Sequence, residues 1–291
     1  MHRFGRWILN LLAVCLFISN KEHFIKKNGY RLMKALLYLY SFYPFKKNNN
    51  FFKFTGSDKF EQYSELYNLL DSLKDKDNKM NILEIGIGGH NKMYSGGQSL
   101  LALKYIYKHS KIIGFDYEDK SFLKDSRIHI YKGDQSNLSD LKSITKDFTK
   151  FDIIIDDGSH FANHQLITFD YLFNFLKNDG IYIIEDIQGS YTKCMNGDPK
   201  LSYERNLITY FSSFAHCVNQ RFILDEFKDK YEKYFEMNKL FFLENAILIQ
   251  KKDKNQLPKK YPEDELFMSL EDINKKKSVK KNASGVIEQN D

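Results

Sequence analysis

The sequence predicts an α/β fold with a mostly parallel, seven-stranded sheet and an antiparallel C-terminal edge strand. Three observations predict it. Between about Tyr63 and Lys251, five short apolar runs alternate with helix-length amphipathic segments, the pattern of right-handed crossovers between parallel strands. Those runs are apolar on both faces, as strands covered by helices must be. Beyond them, Phe241–Leu243 and Asn245–Ile249 lie too close together for a crossover helix. They read as an antiparallel hairpin or a bent strand at the sheet edge.

The elements follow in order. Gln62–Ser72 is a helix with Leu66, Leu69 and Leu70 on one side. Asn81–Ile87 is a strand ended by Gly88-Gly89. Gln98–His109 is a helix that can bury Leu100, Leu101, Leu103 and Ile106. Lys111–Asp116 and Arg127–Tyr131 are the next two strands, the latter ended by Gly133-Asp134. A short helix over Ser139–Ile144 leads to a buried strand, Phe151–Ile155. A long helix over Phe161–Leu176 turns through Asp179-Gly180 into the fifth strand, Ile181–Ile184. Tyr203–Val218 reads as one further helix.

Charge separates the chain into three parts. The 291 residues carry a net charge of +6, but residues 1–54 alone hold +9 and the remainder −3. A mildly acidic body argues against a nucleic-acid enzyme, which needs a positive channel around its catalytic domain. The front part holds an apolar run, Trp7–Ile18, too short to span a bilayer and followed by no small-residue cleavage site. A second apolar stretch, Tyr30–Phe45, is broken by Arg31 and Lys34. Two such segments flanked by basic residues suit contact with an anionic membrane surface, or packing on the domain or a partner subunit. Residues 55–251 read as the main folded domain, and 252–291 as a polar, lysine-rich tail expected to be loosely attached. Cys15, Cys194 and Cys217 are too few and scattered for a disulfide framework, so a reducing, cytoplasmic compartment is expected.

Ligands of open α/β sheets bind beyond the carboxyl ends of the strands, and here those ends are rich in acids. The first strand ends Glu84-Ile85-Gly86-Ile87-Gly88-Gly89, whose glycines permit a tight turn and close approach of a ligand. The loop from His90 to Gly97 is too long for a direct dinucleotide-binding turn into a helix. The second strand ends at Asp116, a carboxylate able to accept both hydroxyls of a ribose. The third ends Gly133-Asp134-Gln135, the fourth Asp156-Asp157-Gly158-Ser159-His160, and the fifth Glu185-Asp186. Any one of these acids alone reads as a turn residue or helix cap. Gathered at one edge they raise one another's pKa unless a cation sits among them, and Mg²⁺ prefers carboxylate oxygens. Asp157, Glu185 and Asp186 can converge on it, with no cysteine-histidine cluster to favour zinc. His160, three residues beyond Asp157 and expected on the first helical turn, is a general-base candidate.

These segments resemble the class I S-adenosylmethionine-dependent methyltransferases, whose Rossmann-like fold they imply. Asn81–Asn91, Ser95–Leu101, Ile113–Ser121, Arg127–Asn137, Phe151–Phe161 and Tyr182–Thr192 are similar to the macrolide-sugar O-methyltransferases of the mycinamicin and macrocin type. Thr55–Lys59 resembles the threonine-aspartate-lysine segment before that family's first helix, and Asn245–Lys251 its closing strand. The resemblance implies Mg²⁺ held by Asp157, Glu185 and Asp186, with His160 as base; the pattern admits either Asp156 or Asp157 as the ligand. It places Glu84, Gly86, Gly88, Asp116, Asp134, Gln135 and Asp156 at the S-adenosylmethionine site, with Gln135 near the adenine. The family's histidine before Tyr63 is absent, the stretch here being Phe60-Glu61-Gln62, and Thr192 stands where a tryptophan is usual. Both departures fall on the acceptor side. The basic, apolar front part occupies the place where some macrolide enzymes carry a large extra domain, and its opening resembles that of bacterial surface-glycan enzymes.

The resemblance implies methyl transfer to a sugar hydroxyl. The acceptor expected is a nucleotide-linked, lipid-linked or polysaccharide sugar of capsule or lipopolysaccharide, met at the inner face of the inner membrane. A non-sugar hydroxylated acceptor and a non-catalytic glycan-assembly subunit are the alternatives. Tyr203–Val218 and the front part are candidate contacts of a homo-oligomer.

Overall fold

The computed structural model describes residues 52–275 except 54, 90–94, 203–204, 228–233, 254–261, 263–265 and 274. The expected membrane-contacting part and most of the expected tail therefore lie outside the described residues. At the borders, Phe52 is buried with its ring 4.7 Å from Tyr67, and Lys252 is buried with its ammonium donating to the Cys217 carbonyl. No helix among the described residues is long and apolar enough to cross a membrane.

Seven strands form one sheet in the order β3-β2-β1-β4-β5-β7-β6. They are β1 (Asn81–Ile85), β2 (Lys111–Asp116), β3 (Ile128–Lys132), β4 (Phe151–Asp156), β5 (Leu176–Glu185), β6 (Met237–Leu243) and β7 (Ala246–Lys251). The first five are parallel. The antiparallel C-terminal strand β7 is seated between β5 and β6, so that β6 closes the edge. Asn245 makes the β6–β7 turn with φ +59°, a left-handed conformation that asparagine tolerates.

Strand alternation sorts the core into two layers. Ile82, Ile112, Ile153, Ile155, Ile183 and Leu248 face α1 (Ser64–Leu73) and α2 (Gln98–Ile106). Leu83, Ile113, Ile154, Tyr182, Ile184 and Ile247 face the opposite layer. That layer comprises α3 (Leu138–Asp147), α4 (Ala162–Leu172), α5 (Leu207–Ser212) and α6 (Ala215–Val218). The same parity decides where the strand-end acids point. Glu84 and Glu185 share the face of α1, whereas Asp156 shares the face of α4.

The single helix expected over Tyr203–Val218 is broken. Ser212 and Ser213 donate their hydroxyls to the carbonyls of Thr209 and Tyr210, competing with the helical ladder, and α5 stops there. Local caps set other boundaries. Asn137 accepts from the Ser139 amide at the start of α3, and Asn206 from Thr209 at the start of α5.

Candidate active site

The strand order reverses between β1 and β4, and a cavity of about 600 Å³ opens at the carboxyl end of that switch point. Gly86 makes it possible for the two turns to meet there. Its φ is +75°, and a Cβ would lie 2.0 Å from the Asp157 carbonyl oxygen. Gly88 has φ +70°, and among the described residues no atom lies nearer than 4.0 Å to a built Cβ.

One wall of the cavity is built from backbone donors. Asp116 accepts from the amides of Ile87 (2.9 Å) and Glu118 (2.8 Å), one on each oxygen. Asp134 accepts from both the amide and the hydroxyl of Ser136, which hold its carboxyl below the usual range. Gln135 is buried and ties two strand ends together. Its Nε2 donates to Asp156 and Thr168, and its Oε1 accepts from the Ser159 amide. Asp156 lies behind this wall, fully buried, and burial pushes its carboxyl up to about 7.

The other wall is a charged cluster. Ligand atoms of Asp157, His160 and Asp186 all lie within 4.8 Å of one another. Asp186 Oδ1 accepts from Tyr63 (2.6 Å), Asn245 (2.8 Å) and Gln62 (3.2 Å), and Oδ2 stands 3.6 Å from His160 Nε2. His160 is not on the first helical turn. It precedes α4 with φ +60°, because the helix starts only at Ala162, and Gly189 leaves room for its carbonyl. Its Nδ1 is buried with no hydrogen-bond partner among the described residues.

Beside the cluster lies Lys59, 1% exposed, on a 3-10 turn (Asp58–Phe60) before α1. Its ammonium sits 2.5 Å from Glu185, 2.9 Å from Asp157 and 3.3 Å from Glu84. The other Glu185 oxygen accepts from Tyr67 (2.6 Å), and the other Glu84 oxygen from Ser99 (2.8 Å). Burial opposes the lysine charge, but Asp157 and Glu185 outweigh it and hold the ammonium well above its ordinary range. Burial pushes the carboxyls of Glu185 and Asp157 up, and that of Glu84 to about 7. Three carboxylates face one ammonium, so the lysine keeps its charge while the carboxylates hold more acid than it can balance, which a proton or a cation would neutralise.

Known proteins resemble the chain in sequence and in fold. The chain is 40% identical over 110 residues to an O-methyltransferase acting at the 3′ position of a rhamnosyl tetracenomycin in Streptomyces olivaceus. That match covers 38% of this chain and 28% of the relative. It is 37% identical over 123 residues to demethylmacrocin O-methyltransferase of Streptomyces fradiae, covering 42% and 31%. It is 36% identical over 127 residues to mycinamicin VI 2″-O-methyltransferase of Micromonospora griseorubida, covering 43% and 32%. The matches thus span about a third or less of each curated relative. A crystal structure of the mycinamycin-pathway methyltransferase with Mg, SAH and mycinamycin VI superposes with a TM-score of 0.64 at 25% identity. The superposition covers 73% of this chain and 57% of that one. No family model matches the chain.

The chain has the class I methyltransferase fold and resembles the sugar O-methyltransferases. Within this methyltransferase fold, Gly86, Gly88, Asp116, Asp134, Gln135, Asp157, His160 and Asp186 all line one cavity. Glu84, Asp156 and Glu185 do not line it. The first and last are tied to Lys59 under α1, and Asp156 to Gln135 on the opposite face. Sequence reasoning assigned no role to Lys59, Gln62, Tyr63, Tyr67 or Asn245. A local signal exists for two of them, since positions 63 and 67 of the predicted helix stand at the four-residue spacing of one helix face. Asn245 carries no local signal, because its partner Asp186 is 59 residues away.

Proposed function

We propose that the protein transfers a methyl group from S-adenosylmethionine to a sugar hydroxyl, assisted by Mg²⁺. The observation that carries the reading is the convergence of Asp157, His160 and Asp186 on the glycine-lined cavity of the switch point. The donor set fits a hard divalent cation: the carboxylates of Asp157 and Asp186 converge beside further buried acids, with the His160 imidazole within reach to serve as base. The relatives are O-methyltransferases of a rhamnosyl tetracenomycin, of demethylmacrocin and of mycinamicin VI, and the superposed structure holds Mg and SAH.

In this reading Gly86 and Gly88 let the cofactor approach the β1 turn, and Asp116 takes the ribose on its remaining lone pairs. Tyr117, 74% exposed at the cavity wall, offers a ring to the adenine. Asp157 and Asp186 hold the cation, with Glu185 the third ligand expected from the resemblance. When bound, the cation supplies Lewis acidity that favours the alkoxide of an acceptor hydroxyl. His160 takes the hydroxyl proton at Nε2 as the oxygen bonds to the methyl carbon and the sulfur departs. Asp186 Oδ2, 3.6 Å away, stabilises the imidazolium that results. Tyr63, Asn245 and Gln62 fix the Asp186 carboxylate, so its aim survives the proton transfer.

The acceptor proposed is a nucleotide-linked or lipid-linked sugar of capsule or lipopolysaccharide. Support comes from the +9 charge and apolar runs of residues 1–54, which suit the anionic inner face of a membrane. The test is transfer of labelled methyl groups to a panel of nucleotide sugars and extracted surface glycans, with Mg²⁺ or with EDTA. Label entering a glycan only with Mg²⁺ is the expected result. Cofactor binding with no sugar methylated moves the acceptor to another hydroxylated class. Absence of cofactor binding overturns the reading.

A further inference from the structure

Glu185 and Asp186 are neighbours in the chain, yet only Asp186 joins Asp157 and His160 in the cluster. Both Glu185 oxygens are engaged elsewhere, one by the Lys59 ammonium and one by the Tyr67 hydroxyl. We propose that Lys59 is the counter-ion that holds Glu185 away from the Asp157–His160–Asp186 cluster, and that it thereby sets how tightly a divalent cation binds there. The inference rests on the reading of that cluster as a cation site.

The geometry argues this in three steps. A buried ammonium persists only when paired, and Lys59 has three carboxylates within 3.3 Å, which is more pairing than one charge requires. One of those carboxylates, Asp157, is also a corner of the cluster, so the ammonium stands a single carboxylate away from the cation position. Two positive charges sharing one carboxylate in a poorly screened interior repel each other and compete for its electron density. Lys59 therefore acts as a built-in competitor. It compensates the acids before a cation binds, and it withholds Glu185 until it is displaced. Its turn also borders the cavity, because the adjacent Asp58 lines it.

A purely structural lysine would lower stability when removed and leave cation affinity unchanged or weaker. The competitor role predicts the opposite sign for affinity. Mn²⁺ binding, read by the electron paramagnetic resonance of the free ion, is compared between the wild type and Lys59→Met. The variant is expected to bind Mn²⁺ about tenfold tighter or more, and to gain more in Tm from Mg²⁺ than the wild type does. Lys59→Arg, which keeps the charge, should stay within about threefold of the wild type. Where Lys59→Met alone fails to fold, the double variant Lys59→Met with Glu84→Gln makes the same comparison. It leaves Asp157 and Glu185 at the same net charge that the wild-type group of four carries. Equal or weaker binding by the folded variant overturns this inference while leaving the cation site intact. No Mn²⁺ binding by any of the proteins overturns the cation reading, and this inference with it.

Discussion

The two walls of the cavity satisfy their acids in different ways. On the β1–β2–β3 side, Asp116 and Asp134 are held by amides and a hydroxyl within a few residues or on the neighbouring strand turn. On the β4–β5 side, Asp157 at the cavity shares Lys59 with two acids buried behind the wall, Glu185 and the β1 residue Glu84, and Lys59 is 126 residues from Glu185 in the chain. In the first wall each carboxylate is held by fixed hydrogen-bond donors. The second carries more negative charge than its lysine can balance, and burial drives its carboxyls upward. A wall of the first kind can cradle a cofactor without changing its own charge. A wall of the second kind is primed to take up a proton or a cation. In the proposed function, binding and chemistry are thus divided between the two.

Breaking the charged wall alone is expected to have the largest effect. His160→Ala should lower turnover about 10²–10⁴-fold while leaving cofactor affinity unchanged by calorimetry. A parallel loss of cofactor binding would show that the division between walls is false. Gly86→Ala tests the seam, because its Cβ meets the Asp157 carbonyl at 2.0 Å and its φ is +75°. A penalty of about 3 kcal/mol is expected in urea melts, with cofactor and cation binding both weakened. Undiminished binding of either would mean that the walls are set independently.

Glu84→Gln is the gentlest change and probes the surplus charge. Burial raises the Glu84 carboxyl from 4.5 to about 7, so the folded state keeps a proton that the unfolded chain has released. That contribution to stability is complete below about pH 4.5 and is lost as pH rises through about 7. The variant should therefore match the wild type near pH 5 and exceed it by about 2 kcal/mol at pH 8. Urea melts at the two pH values check this. A variant less stable at pH 8 would show that Lys59 needs all three carboxylates, and that the wall holds no surplus.

Much of this molecule is legible without coordinates. The apolar runs and glycine turns mark β1 to β5, and the hairpin spacing marks β6 and β7, because alternation and turn chemistry are local properties of a chain. Placing the acids at one sheet edge follows from the parallel topology, and Asp116, Asp134, Asp157, His160 and Asp186 do meet at one cavity. The helix over Tyr203–Val218 misreads because two serine hydroxyls outbid the ladder, a contest that apolar periodicity does not register. His160 misreads because the start of α4 is set by the turn that carries it past Gly189.

The sequence by itself determined the strand rhythm, the glycine turns and which acids stand at strand ends. Only the tertiary structure decided how those acids are shared: Asp156 with Gln135 and Thr168, Glu185 and Glu84 with Lys59, and Asp186 with Tyr63 and Asn245. The reason is physical. A strand's alternation fixes the face toward which a carboxylate points, but its partner depends on which segment covers that face. Covering segments are chosen by packing between residues far apart in the chain, and no local propensity encodes that choice.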